Sequence, residues 1–69
     1  MANLSERMLE LRKASKLKQE DAARQSGLTA HSYRRYESGE REPTASTLWK
    51  LADFYGVSVD YLIGRSDKK

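Results

Sequence analysis

The sequence predicts an all-α domain of five short helices. Apolar side chains recur at the three- and four-residue spacing of helices with one buried face, and no stretch resembles a strand. Each of the four glycines closes such a segment, where helices often end in a left-handed residue: Gly27, Gly39, Gly56 and Gly64. The 69 residues allow one domain, which we assign to residues 1–64, followed by a polar tail at 65–69 that we expect to fray.

Capping residues mark the starts of four helices, and they are Asn3, Thr29, Thr44 and Ser58. We expect these helices over residues 4–15, over 30–38, over 45–55 and from 59 onwards. Pro43 prevents Glu42 from continuing a helix, so residues 39–43 form a polar loop. Two of the helices show a clear buried stripe, formed by Leu4, Met8 and Leu11 and by Leu48, Leu51, Ala52 and Tyr55.

Residues 19–37 organise the rest of the chain. Three small residues lie on one face of a helix expected over residues 19–26, namely Ala22, Ala23 and Ser26. Tyr33 and Tyr36 share one face of the next helix, and Gly27 can adopt the positive φ of a sharp helix exit. Two helices joined steeply by a short glycine-containing turn form the helix-turn-helix of DNA-binding proteins.

Basic charge is concentrated around this helix pair. The formal net charge is +3, and residues 12–35 contain seven basic side chains and two acidic ones. From residue 42 to the end, four acids balance four bases. This distribution favours a polyanionic partner such as nucleic acid.

The composition argues against several other classes of protein. The chain has no Cys, which excludes disulfides and thiolate metal sites, and His31 is its single histidine. No glycine-rich phosphate loop or cluster of metal-ligating residues is present, so we expect no enzyme, no metal and no cofactor. No apolar run approaches the roughly 20 residues that cross a bilayer, and no secretory leader opens the chain.

An ordered set of residues matches one known family. The set is Arg7, Leu11-Arg12, Leu17, Gln19, Ala23, Gly27-Leu28, Tyr36-Glu37-x-Gly39, Pro43, Leu48, Leu51-Ala52, Gly56-Val57-Ser58 and Leu62-x-Gly64. With these residues the sequence resembles the phage-repressor-like helix-turn-helix family of the Cro/C1, or XRE, type. The resemblance implies a five-helix lambda-repressor-like DNA-binding domain, with the helix-turn-helix formed by helices 2 and 3. It also implies a cytoplasmic, nucleoid-associated regulator of a prokaryote or phage.

The implied function is sequence-specific binding of double-stranded DNA by a transcriptional regulator, expected to be a repressor without a small-molecule effector. A homodimer would bind a palindromic operator, with helix 3 in the major groove. The family's base-reading positions correspond to Arg35 first, then His31, Ala30, Ser32 and Arg34. Phosphate contacts are expected from Gln19, Lys18 and Arg41, and Arg12 and Glu37 match a structural ion pair of the family.

The sequence departs from the family at three positions. Lys18 replaces the usual capping Thr or Ser of helix 2, and Tyr33 replaces an aliphatic residue between the motif helices. Ala30 replaces a longer polar side chain, which leaves a methyl group for contact with a base at this position.

Five large apolar residues remain after the core stripes are filled: Trp49, Phe54, Val59, Tyr61 and Ile63. They form either a dimer surface or the edges of a small core. The main alternative to DNA binding is a protein-interaction module, such as an antitoxin or a regulatory partner that uses the same fold. A further alternative is that the chain is the DNA-binding part of a longer repressor.

Overall fold

The computed structural model describes residues 3–69, and five α-helices account for most of this range. They are α1 (Leu4–Ala14), α2 (Gln19–Ser26), α3 (Ala30–Ser38), α4 (Ala45–Tyr55) and α5 (Val59–Leu62). Residues 3–69 contain no strand, which confirms the all-α prediction. The helix boundaries also agree with prediction, except that α1 ends one residue early, because Ser15 serves as its C-terminal cap. In the same range, no helix has the length and apolar character required to span a membrane.

Four of the five helices begin at a side-chain cap, as predicted. The side-chain oxygens of Asn3, Thr29, Thr44 and Ser58 each accept a hydrogen bond from the backbone N–H three residues further on. Helix α2 is the exception, since Lys18 stands at its cap position and provides no side-chain hydrogen bond. The first N–H groups of α2 therefore lack the partner that the other helices have.

The turn between α2 and α3 depends on the backbone of Gly27. Its φ of 83° lies in the left-handed region, and a Cβ atom added there would meet no atom within 4 Å. The N–H of Leu28 donates to the carbonyl of Ala23 at 2.8 Å, and that of Gly27 donates to Arg24 at 3.2 Å. Backbone conformation, rather than space, thus requires glycine at this position.

A second left-handed residue was not anticipated from the sequence. Lys16 has a φ of 57° in the turn between α1 and α2, and among residues 3–69 it is the only non-glycine residue with positive φ. Its backbone N–H donates to the carbonyl of Lys13 at 3.0 Å. The chain therefore ends α1 without a glycine, at the cost of a conformation that lysine rarely adopts.

All five helices contribute to the core, and α3 packs against both α1 and α2. Its fully buried large side chains are Tyr33, Met8, Leu51 and Leu62. The small residues Ala22 and Ala23 belong to the same buried cluster, which allows α3 to approach α2 closely. The buried hydroxyl of Ser26 donates to the carbonyl of Ala22 at 2.7 Å, so this polar group is satisfied inside the core.

The C-terminal tail lies against α1 and α5, which differs from the frayed tail that the sequence suggested. The backbone N–H groups of Arg65 and Ser66 both donate to the carbonyl of Asp60, at 2.8 and 3.2 Å. The Arg7 guanidinium stacks 4.0 Å from the ring centroid of Tyr61 and donates from Nη2 to Asp67 Oδ1 at 2.9 Å. The tail thus returns to α1 through a cation that is itself placed by an aromatic ring.

Candidate nucleic-acid interface

Helix α3 carries all five residues that the sequence assigns to base reading, although Ala30 packs in part against the core. Two of them, His31 and Arg34, are exposed, and the other three are partly exposed. The inward face is fixed in the core by Tyr33 and Tyr36. The structure therefore presents a short polar strip, from Ala30 to Arg35, on one side of the domain.

A shallow groove of about 370 Å³ joins this strip to the start of α2. Its lining residues are Gln19, His31, Arg34, Arg35, Ser38 and Glu40. The amide and guanidinium groups among them are the donors that proteins use for phosphate oxygens and base edges. Arg34 and Arg35 project about 100° apart around α3. The two guanidinium groups therefore cannot approach the same base.

Arg12 and Glu37 form a two-point ion pair behind this strip. The Nε and Nη2 atoms of Arg12 donate to Oε2 and Oε1 of Glu37, at 2.9 and 2.8 Å. The Nη1 atom donates to the carbonyl of Leu17 at 3.0 Å. These hydrogen bonds join α1, the turn before α2 and the end of α3 in a fixed orientation.

The ion pair is largely removed from solvent. The side chains of Arg12 and Glu37 are 17% and 6% exposed. The hydrogen bond to Glu37 raises the pKa of the Arg12 guanidinium above its ordinary value, against the opposing effect of burial. Removal of either side chain would leave the other one buried without its partner.

Gln19 is held by the same carboxylate. Its Nε2 atom donates to Glu37 Oε1 at 3.1 Å, so this oxygen accepts from both Arg12 and Gln19. The sequence assigns Gln19 to phosphate binding and Glu37 to the ion pair, but it gives no sign of this contact between them. Gln19 is the first residue of α2 and remains partly exposed.

Arg35 meets an acidic residue that the sequence analysis did not single out. Its Nε atom lies 3.7 Å from Glu40 Oε2, and the two side chains are 38% and 67% exposed. Such a pair contributes little to stability, because water and salt screen it. It does place a carboxylate at the edge of the groove that lies between Gln19 and α3.

Two other phosphate candidates lie outside that groove. Lys18 is exposed at the start of α2. Arg41 is exposed in the loop after α3, where it lines a second groove of about 440 Å³ with Leu4, Tyr36 and Pro43. The structure thus distributes the phosphate candidates around the strip instead of gathering them at one point.

The apolar residues considered for a dimer surface differ in how much area they expose. Trp49 is 65% exposed, whereas Tyr61 is 6% exposed beneath Arg7. The remaining three are partly buried, and they are Phe54, Val59 and Ile63. Trp49 and Phe54 stand about 140° apart around α4, so they belong to different flanks of that helix.

A model of the helix-turn-helix family matches residues 8–62. The chain belongs to this Cro/C1-type family. The uncharacterized transcriptional regulator YobD of Bacillus subtilis is 42% identical over 62 residues, which cover 90% of this chain and 55% of YobD. The transcriptional repressor RstR of the cryptic phage CTXphi in Vibrio cholerae is also 42% identical, with the same coverage. The chain spans about half the length of these curated relatives.

Solved structures of two other proteins share the architecture. The P22 c2 repressor, solved in complex with a synthetic operator, superposes with a TM-score of 0.87 at 26% sequence identity. The match covers 96% of this chain and all of the repressor chain. A transcriptional regulator from Listeria innocua superposes with a TM-score of 0.83 at 27% identity, covering 97% of this chain and 63% of that one. These matches confirm the lambda-repressor-like fold.

No group of acidic or histidine side chains within residues 3–69 is arranged to hold a metal ion. The polar groups of the candidate site are side-chain amides, guanidinium groups and the backbone N–H groups at the start of α2. Its two unanticipated members are Glu37, as a partner of Gln19, and Glu40, as a partner of Arg35. Arg35 and Glu40 are five residues apart across the end of α3, outside the three- and four-residue spacing of helical side-chain pairs, so no local pattern indicated their contact.

Proposed function

We propose that this chain binds double-stranded DNA in a sequence-specific manner as a transcriptional regulator, and that it acts as a repressor. The observation that carries the proposal is the polar strip of α3, which the Arg12–Glu37 pair holds in a fixed orientation. The fold that bears this strip superposes on a repressor that was solved with its operator. In the proposed complex α3 enters the major groove with its N-terminal end foremost.

Base reading is assigned to the exposed strip of α3. Arg35 is the principal reader, since a guanidinium can bind O6 and N7 of guanine in a bidentate manner. His31 can donate from a ring N–H, and Ala30 can contact a thymine methyl group. Ser32 and Arg34 complete the strip, and Arg34 addresses either a neighbouring base or a phosphate.

Phosphate binding is assigned to residues that surround the strip. Gln19 occupies the first turn of α2, where the open N–H groups and the helix dipole favour an anion. Lys18 and Arg41 are exposed on either side and supply positive charge. These contacts would fix the orientation of α3 on the duplex without contributing sequence preference.

We further propose that two copies bind a palindromic operator, with half-sites about 34 Å apart on one face of the DNA. Trp49 supports a dimer contact, because it is the most exposed large apolar residue of the described chain. Val59, Ile63 and Phe54 offer smaller partly exposed areas, whereas the buried Tyr61 has little area left for a partner.

The test is selection of binding sites from random duplex DNA, followed by footprinting. A dyad-symmetric site is expected, and Arg35→Ala should relax the preference at one symmetric pair of positions while Arg65→Ala, in the tail, leaves the site unchanged. A lack of preference for any duplex over random DNA at moderate salt would overturn the proposal, and a lack of binding to every duplex would favour the protein-interaction alternative. Sedimentation at high micromolar concentration tests the dimer separately, and a monomer both free and on DNA would exclude it.

A further inference from the structure

We propose that Glu37 is a positioning residue for DNA, because it orients the side-chain amide of Gln19 toward a phosphate before the DNA arrives. The inference rests on the proposed function, and it assigns to Glu37 a role beyond its ion pair with Arg12. It concerns a contact of 3.1 Å between Gln19 Nε2 and Glu37 Oε1.

The chemistry of the two groups fixes the orientation of the amide. A carboxylate only accepts hydrogen bonds, whereas an amide carries a donor nitrogen and an acceptor oxygen on the same carbon. Glu37 therefore binds the nitrogen of Gln19 and repels its oxygen. One N–H of that nitrogen is used, and the second N–H is directed away from the carboxylate, where a phosphate oxygen can accept it.

The carboxylate itself has almost no freedom to move. Its side chain is 6% exposed, and Arg12 holds both of its oxygens through Nε and Nη2. Arg12 is in turn bonded to the carbonyl of Leu17, two residues before Gln19. The direction of the Gln19 amide is thus set by a network that extends from α1 to the end of α3.

The start of α2 adds donors that point to the same region. The side chain of Lys18 does not cap α2, so it accepts no hydrogen bond from the first backbone N–H groups of this helix. A phosphate oxygen at this end would accept both from the backbone and from the second N–H of Gln19. Orientation of the amide before binding lowers the ordering cost of a flexible side chain at the interface.

A double-mutant cycle tests this role with the full chain. Affinities of wild type, Glu37→Gln, Gln19→Ala and the double variant are measured on the selected operator and on random duplex by fluorescence anisotropy. A glutamine at position 37 replaces one acceptor oxygen by an NH₂ donor, so it cannot accept all three hydrogen bonds that Arg12 and Gln19 donate to the carboxylate. We expect Glu37→Gln to weaken binding to both duplexes by about three- to tenfold when Gln19 is present. In the Gln19→Ala background, the same change should have little effect.

A purely structural role of Glu37 predicts a different result in the double-mutant cycle. If Glu37 only stabilises the fold, its substitution weakens binding equally in both backgrounds, and this outcome overturns the inference. Tyr55→Phe provides a control for lost stability, because it removes a hydroxyl that is bonded to the buried Tyr33 and leaves Glu37, Arg12 and Gln19 in place. A loss of affinity in Tyr55→Phe as large as in Glu37→Gln would also overturn the inference.

Nuclear magnetic resonance of the free wild-type protein keeps the proposal testable if Glu37→Gln fails to fold. The side-chain amide of Gln19, assigned by its absence in Gln19→Ala, should show one proton protected from exchange with water. The exposed Gln25 provides the reference for an unrestrained amide. Equal, unprotected protons for Gln19 would overturn the inference, whereas failure of wild type to bind any duplex would remove the proposed function itself.

Discussion

The hydroxyl groups of Tyr33 and Tyr55 share a hydrogen bond that joins α3 to the last turn of α4. Tyr33 is 0% exposed, at a position where the resemblance to the family implies an aliphatic residue. An aliphatic side chain needs no polar partner, but a buried hydroxyl without one is costly. The unusual tyrosine in the motif is therefore matched by a second tyrosine on another helix.

We expect Tyr55→Phe to destabilise the domain more than Tyr33→Phe. The first change leaves the hydroxyl of Tyr33 buried and unpaired, at a cost of about 1–3 kcal/mol. The second leaves the hydroxyl of Tyr55, which is only partly buried and can turn to water. The double Phe variant should lose less free energy of unfolding than the two single variants lose together. Urea unfolding of wild type, both single variants and the double variant measures these losses. Strict additivity would contradict the pairing.

The same two tyrosines make stability fall at alkaline pH. Burial raises the pKa of Tyr33 far above its ordinary value, and the hydrogen bond with Tyr55 adds to this. Burial also raises the pKa of Tyr55. Above about pH 10, the unfolded chain releases protons that the folded chain retains, so the free energy of unfolding decreases by up to about 1.4 kcal/mol per pH unit for each tyrosine. Below that pH the contribution is fully present.

The double variant Tyr33→Phe/Tyr55→Phe supplies the control for this pH dependence. Its urea midpoint should decrease less steeply than that of wild type above about pH 10, since the remaining titrating groups are common to both proteins. Parallel curves for the two proteins would show that neither hydroxyl keeps its proton longer in the folded state.

Removal of one member of the Arg12–Glu37 pair should destabilise the domain by about 3–5 kcal/mol. Arg12→Ala is expected at the upper end, because it strands the Glu37 carboxylate, whose side chain is the less exposed of the two. Replacement of both residues by Met and Leu should restore much of the loss, since no buried charge then remains. Chemical unfolding gives the free energy of unfolding of wild type, Arg12→Ala and the double variant. A double variant as unstable as Arg12→Ala would refute this account.

Lys18→Ser should stabilise the domain by about 1 kcal/mol, because it restores a side-chain cap to α2. For a domain of this size, that gain corresponds to an increase in Tm of about 4–8 °C. Lys18→Ala removes the same charge without adding an acceptor, and it should give no such gain. An equal increase in both variants would assign the effect to charge instead of capping.

Glu40→Gln should tighten DNA binding if Arg35 reads a base. The change removes a carboxylate that lies 3.7 Å from Arg35 Nε and that would repel nearby phosphates. Glu42→Gln also removes one negative charge, but from the second groove, whose lining does not include Arg35. It should therefore change DNA affinity less. Anisotropy titrations of both variants on the selected operator decide this, and a weaker complex for Glu40→Gln would count against Arg35 as the reader.

Local signals explain how much of this architecture the sequence could predict. Caps such as Thr29 and exits such as Gly27 act within a few residues, so the helix ends followed directly from them. The left-handed Lys16 carries no such signal, because lysine rarely adopts a positive φ and so does not indicate one. The bond between Gln19 and Glu37 joins residues 18 positions apart and depends on how α3 crosses α2, which no local pattern reveals.

The open start of α2 has a consequence for the way the domain is completed. The other four helices each begin at a residue whose side chain caps them, whereas α2 has no such cap. In the proposed complex, a DNA phosphate would accept the hydrogen bonds of the first N–H groups of α2. The ligand then acts as the missing cap, so binding and the local folding of α2 are thermodynamically linked. Amide exchange in the first turn of α2 should slow on operator binding and should already be slow, without DNA, in Lys18→Ser.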